Sequence, residues 1–199
     1  MLSSITPLGE RGRNMRWSHT VVWYVLGSLM GGVAIGALSA SLGLVFRVSD
    51  VSGTVRLLAA AVFFTTGWAF DLGVFNRPLP SIQRQVNENW LPRYRGWVYG
   101  FGFGVQLGFG LVTITRTSTI YSAIFASLLS GSLLVGVAIG GWFGLLRAAP
   151  ILLAHGLTTN EQLARFHLRL QSLDGAARRG VIPAPLIAII ALVGAAIIP

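Results

Sequence analysis

The 199-residue chain has no cysteine and no lysine. The first absence excludes disulfides, thiolate metal sites, thiol catalysis and thiol–disulfide relay within this chain. The second excludes a phosphate-binding G-x-x-x-x-G-K-[ST] loop. Charge is scarce as well. Asp, Glu and Arg together make up 11% of residues, where a soluble domain carries about 25%. The three histidines, His19, His155 and His167, form no ligand pair at i, i+3 or i+4, so neither a metal nor another cofactor is expected. No acid/base pair or nucleophile–base pair stands out either, and the expectation is a protein that is not an enzyme.

What remains is apolar. Hydrophobic residues make up 53% of the chain, and the mean hydropathy is +0.69. This composition predicts an all-α, polytopic integral membrane bundle whose first partner is the lipid bilayer. The net charge of +9 comes from arginines that flank apolar runs. That is the placement expected of membrane topology rather than of nucleic-acid binding, so no nucleic-acid partner is expected.

Thr20 to Phe46 is the first run, uncharged throughout. It is longer than a signal-peptide core of about 7–15 residues and reads as a retained helix. Thr54 to Phe75 is the second, with Arg56 and Asp71 near its ends. A polar linker follows, in which Ile82, Val86 and Trp90 share one helical face. Gly96 to Leu153 is long enough for two spans, divided either near Arg116 or near Ser130-Gly131-Ser132. In the second case the helix from Trp97 must bend around Thr113–Thr119. Thr158-Thr159-Asn160-Glu161 has the spacing of a capping box. It precedes an amphipathic stripe of Leu163, Phe166, Leu170 and Leu173, suited to lipid headgroups or to a partner subunit. Val181 to Pro199 is a last, short apolar run.

The expected organisation is therefore a single membrane domain of about five spans. Residues 1–19 are the cytoplasmic N-terminus, 20–75 a first hairpin and 76–96 a cytoplasmic linker. Residues 97–153 are a second hairpin, 154–180 a cytoplasmic amphipathic helix and 181–199 the last helix. With the N-terminus inside, twelve arginines fall on the inner side and three, Arg47, Arg56 and Arg116, on the outer. This asymmetry predicts a multi-pass protein of a bacterial plasma membrane.

A shift of 74 residues pairs Trp23 with Trp97, Gly36 with Gly110, Gly67 with Gly141 and Trp68 with Trp142. The pairing suggests a duplicated hairpin with parallel copies. The alternative is the ordinary preference of Trp for interfaces and of Gly for membrane helices.

Three constellations are candidate sites. Thr113, Thr115 and Thr117 surround Arg116 in an otherwise apolar stretch, and Gln106 precedes them on a glycine-lined helix. At membrane depth the cluster would attract a small anionic solute; in an outer loop Arg116 would only be solvated. Asp71 and Arg147 lie near the inner ends of their spans and are expected to form a buried ion pair, with proton coupling through Asp71 as the alternative. Glycines at Gly27-x3-Gly31, Gly32-x3-Gly36 and Gly100-x3-Gly104-x3-Gly108 let helix backbones approach closely, in a compact bundle or a homo-oligomer.

Gly100–Gly110, Gly131-Ser132 and Gly140-Gly141-Trp142-Phe143-Gly144-Leu145-Leu146-Arg147-Ala148-Ala149-Pro150 resemble the membrane region of cytochrome c biogenesis and thiol-reductant transporters, a family similar to small exporters. The resemblance implies a glycine-rich helical membrane fold. The family's Pro-Cys pair has no counterpart here, so its electron-relay activity does not carry over. Two functions are expected. One is transport or export of a small solute between the two hairpins. The other is a non-catalytic membrane subunit that scaffolds or stabilises a larger complex with a membrane-protein partner.

Overall fold

The structure, a computed structural model, describes residues 5–75, 79, 90–111, 117–166, 168, 169 and 172. Among these, every regular element is helical: α1 (Pro7–Gly12), α2 (Trp17–Val45), α3 (Gly53–Asp71), α4 (Trp90–Arg93), α5 (Gly96–Phe109), α6 (Thr119–Leu129) and α7 (Leu133–Ala148). A 3-10 segment, Ala149–Ala154, extends α7.

Helix α2 is the axis of the bundle. Its 29 residues rise about 43 Å. They are apolar on all sides, as a helix surrounded by protein and lipid must be. Two helices lie along it. Helix α5 runs parallel, with Gly100 against Thr20, Gly104 against Tyr24 and Ser28, and Gly108 against Ser28 and Gly32. Helix α7 runs antiparallel, with Gly136 against Gly36 and Ala40, Gly140 against Gly32 and Gly36, and Gly144 against Ser28. At each of these glycines an added Cβ would run into the neighbouring helix. In lipid, where burying apolar side chains gains little, such close approach supplies the packing energy. Ser28, fully buried between the two helices, donates its hydroxyl to the Gly144 carbonyl at 2.7 Å.

Helix α6 continues the direction of α5 and ends with Leu128 against Gly43 near the far end of α2. Among the described helices, α3 packs on α6 alone in any depth and runs the opposite way. Arg56 reaches the Leu129 carbonyl at 3.4 Å, and the Phe63 and Phe125 rings stack 4.1 Å apart. Asp71 meets Ser118 at the other end.

Three described helices are long and apolar enough to cross a bilayer: α2, α3 and α7 with its extension. The expected third span is instead two short helices, α5 and α6, and the expected fifth lies outside the described residues. So do most of the linker face, where of Ile82, Val86 and Trp90 only Trp90 is described, and Leu170 and Leu173 of the amphipathic stripe. The turn at Gly131, with φ of +58°, separates α6 from α7. The division therefore falls at Ser130-Gly131-Ser132.

The two hairpins are built differently. The first has a continuous α2 and a loosely attached α3. The second has an interrupted helix and a tightly packed α7. The fold adds no support to a duplication, although Trp23 and Trp97 do touch, with ring centroids 5.8 Å apart.

The predicted capping box forms one residue later than its spacing suggested. The Thr159 hydroxyl accepts the Gln162 N–H at 3.3 Å, and Gln162 Oε1 accepts the Thr159 and Thr158 N–H groups at 3.2 and 2.9 Å. Thr159-x-x-Gln162, not Thr158-x-x-Glu161, makes the reciprocal cap. Glu161 is left in solvent with Arg165 at 3.7 Å.

Candidate functional site at an interrupted helix

Helix α5 has 14 residues and α6 has 11, rising about 21 and 16 Å. Neither alone covers a hydrocarbon core of about 30 Å. The interruption lies beside the middle of α2, because Gly108 contacts Ser28 and Gly32, and Phe109 and Ile120 share a contact region with Ile35. Were α2 to span a bilayer, the last carbonyls of α5 and the first N–H groups of α6 would lie within it, where an unsatisfied backbone group costs several kcal/mol.

Helix α5 stops at Gly110, whose φ of +79° suits a residue without a Cβ. Arg147 reaches this end from α7. Its Nη1 lies 3.1 Å from the position a Gly110 Cβ would take, and its guanidinium sits 5.5 Å from the centre of the Phe143 ring. The Tyr24 hydroxyl is its electrostatic neighbour. Helix α6 begins after Ser118. The Asp71 carboxylate accepts the Ser118 N–H at 2.8 and 3.1 Å and the Ser118 hydroxyl at 2.7 Å. An anion thus stands at the N-terminus of one half-helix and a cation at the C-terminus of the other. Both positions complement the helix dipole.

The expected ion pair is replaced by this arrangement. The described bonds of Asp71 go to Ser118, and an Asp71–Arg147 bridge is not among the described ion pairs. The two residues share a depth but face different neighbours, α6 for Asp71 and the end of α5 for Arg147. Of the solute-path candidates, Gln106 is half-buried on α5 and its carbonyl accepts the Gly110 N–H at 3.3 Å. Thr117 is exposed and shares a 2.6 Å hydrogen bond with Thr119. Thr113, Thr115 and Arg116 lie outside the described residues. Sequence reasoning placed Gly110 in a glycine run and Ser118 in the hydroxyl-rich stretch but gave neither a role at a helix end. A glycine before a hydroxyl-rich stretch was the available signal for a helix stop.

This geometry predicts additivity. Asp71→Leu leaves the Ser118 N–H and hydroxyl unpaired and should cost about 2 kcal/mol. Arg147→Gln removes a cation from a helix C-terminus and should cost about 1 kcal/mol. The double variant, unfolded by detergent titration, should match the sum within about 0.5 kcal/mol. A larger coupling would restore the direct pair.

A second buried polar cluster closes the N-terminal end of α2. The Glu10 carboxylate, fully buried, accepts the Thr20 hydroxyl at 2.7 Å and Arg13 Nη2 at 2.7 Å, and lies 2.6 Å from the Tyr99 hydroxyl. Thr6 caps α1, Pro7 opens it, and the Leu8 N–H donates to the Leu157 carbonyl at 3.2 Å. No reading of the sequence singled out Glu10. Its signal was one acid among three arginines ahead of an apolar run.

Curated relatives align with most of the chain. It is 29% identical over 153 residues to the Methylamine utilization protein MauF of Paracoccus denitrificans, covering 75% of this chain and 55% of that protein. It is 28% identical over 183 residues to the protein of the same name from Methylobacillus flagellatus, covering 87% and 64%. For Methylorubrum extorquens the figures are 25% over 158 residues, 77% and 54%. The chain thus spans between half and two thirds of these relatives' length. No protein-family model matches, and no solved structure matches. These relatives overturn the resemblance to cytochrome c biogenesis and thiol-reductant transporters. Of the glycines that carried it, Gly100, Gly104, Gly108, Gly140 and Gly144 pack closely against α2, and such surfaces recur wherever membrane helices meet closely.

Proposed function

We propose that the chain is a non-catalytic membrane subunit that scaffolds or stabilises a larger membrane complex. It sits in a bacterial plasma membrane in several passes with its N-terminus in the cytoplasm. The observation that carries this reading is how α3 is held. Among the described helices it packs on α6 alone to any depth, and Val55, Leu58 and Val62 are exposed at 53%, 44% and 67%. Meanwhile Asp71 and Arg147 serve the ends of helices α6 and α5. The relatives' name adds a process in which to look, the utilization of methylamine.

A solute path between the hairpins lacks comparable support. The seams of α2 with α5 and α7 are closed by backbone contacts, and the space bounded by Ile35, Phe109, Ile120 and Phe143 has no room for a water molecule.

The test is purification of the tagged chain from its native membrane in mild detergent. A stoichiometric membrane partner is expected, and deletion of the chain should lower that partner's abundance and slow growth on methylamine. A chain that purifies alone, with the other membrane proteins unchanged on deletion, would sink the proposal. An N-terminal tag on the same protein should resist protease added to intact cells.

A further inference from the structure

A pocket of about 390 Å³ opens where α7 and its extension leave the bilayer, lined by Leu153, Gly156, Leu157, Gln162, Arg165, Phe166 and Arg169. We infer that it binds the headgroup of an anionic phospholipid. Arg165 and Arg169 are four residues apart in the helical stretch that follows residue 159, so they project from one face. Both are exposed, and the only described ion pair at either is the long, solvated one from Arg165 to Glu161. Such a pair contributes little and leaves the guanidinium available to a phosphate.

The floor beneath them decides between a lipid and a free anion. Leu153 is 65% exposed, and it belongs to the last turn of a run that is long and apolar enough to cross the membrane. Phe166 lies beside the arginines. A free phosphate would use only the guanidinium groups. A phospholipid uses both halves, phosphate on Arg165 and Arg169 and acyl chain along Leu153. The reciprocal cap at Thr159 and Gln162 fixes the start of the helix and hence the height of the arginines above the leucines.

The inference is tested on the purified full chain in detergent. Phosphatidylglycerol or phosphatidylcholine is added at equal mole fraction, or inorganic phosphate instead, and the apparent melting temperature is followed. Phosphatidylglycerol should stabilise at roughly tenfold lower concentration than phosphatidylcholine, given two basic side chains near the headgroup. Inorganic phosphate should do nothing. The R165Q/R169Q variant should lose the preference, whereas R165K/R169K and R47Q, the last at the opposite end of α2, should keep it. Equal response to the two lipids, an equal response to inorganic phosphate, or an unchanged preference in R165Q/R169Q would each overturn the site. None of these outcomes depends on whether a protein partner is found.

Discussion

Gly140→Ala should remove most of the folded protein, while Gly141→Ala, one residue away, should be tolerated. A Cβ on Gly140 would run into the Gly32 carbonyl oxygen and lie 2.9 Å from the Gly36 Cα. Both are backbone atoms of the central helix and cannot turn aside as a side chain can. A Cβ on Gly141 would meet only the Leu29 Cδ1 and Val33 Cγ2 methyls at 3.3 Å, which rotate away at small cost. Helix propensity favours alanine over glycine by about 1 kcal/mol at both positions. Any loss at Gly140 is therefore packing, and it belongs at the upper end of overpacking, about 3 kcal/mol. Gly141→Ala should change stability by less than about 1 kcal/mol. The midpoint of unfolding in a detergent titration reads the difference. Equal midpoints for the two variants would mean that α2 and α7 do not meet through their backbones.

The contrast between these neighbours shows what was legible beforehand and what was not. Small-xxx-small spacing marked Gly32, Gly36, Gly104 and Gly108 as close-approach residues, and each meets a neighbouring helix. Spacing alone does not say which of two adjacent glycines faces the partner. The same limit explains Asp71 and Arg147. Position along an apolar run fixes depth, and depth suggested that the two would pair. Azimuth comes from tertiary packing, and it turns Asp71 to Ser118 and Arg147 to the end of α5. A bend at the hydroxyl-rich stretch was one of two expectations, the other being an outer loop near Arg116. That the bend is an interruption with a charge at each helix end depends on residues of α3 and α7, distant in sequence. The cap at Thr159 is a smaller instance. Thr158 and Thr159 both have an acid or amide three residues on, and only the fold selects Gln162 over Glu161.

Glu10→Leu should unfasten the N-terminal segment from the bundle. The carboxylate joins three elements: Arg13 just beyond α1, Thr20 on α2 and Tyr99 on α5. Leucine is similar in size and would leave the Tyr99 and Thr20 hydroxyls without their acceptor in a site closed to water. Removing one member of a buried charged pair costs about 3–5 kcal/mol. Arg13 retains 26% side-chain exposure, so part of its charge is solvated and the lower figure of about 3 kcal/mol applies. Tyr99→Phe removes one hydroxyl and keeps the ion pair, and should cost about 1 kcal/mol. Trp17 ties the segment to the bundle as well, because its indole N–H donates to the Ile5 carbonyl at 3.3 Å and its ring meets His155 edge-on. In Glu10→Leu the segment should become open to protease, while the glycine-packed helices remain folded. A Glu10→Leu protein as stable and as protected as the parent would show that the carboxylate does not hold this end of the bundle.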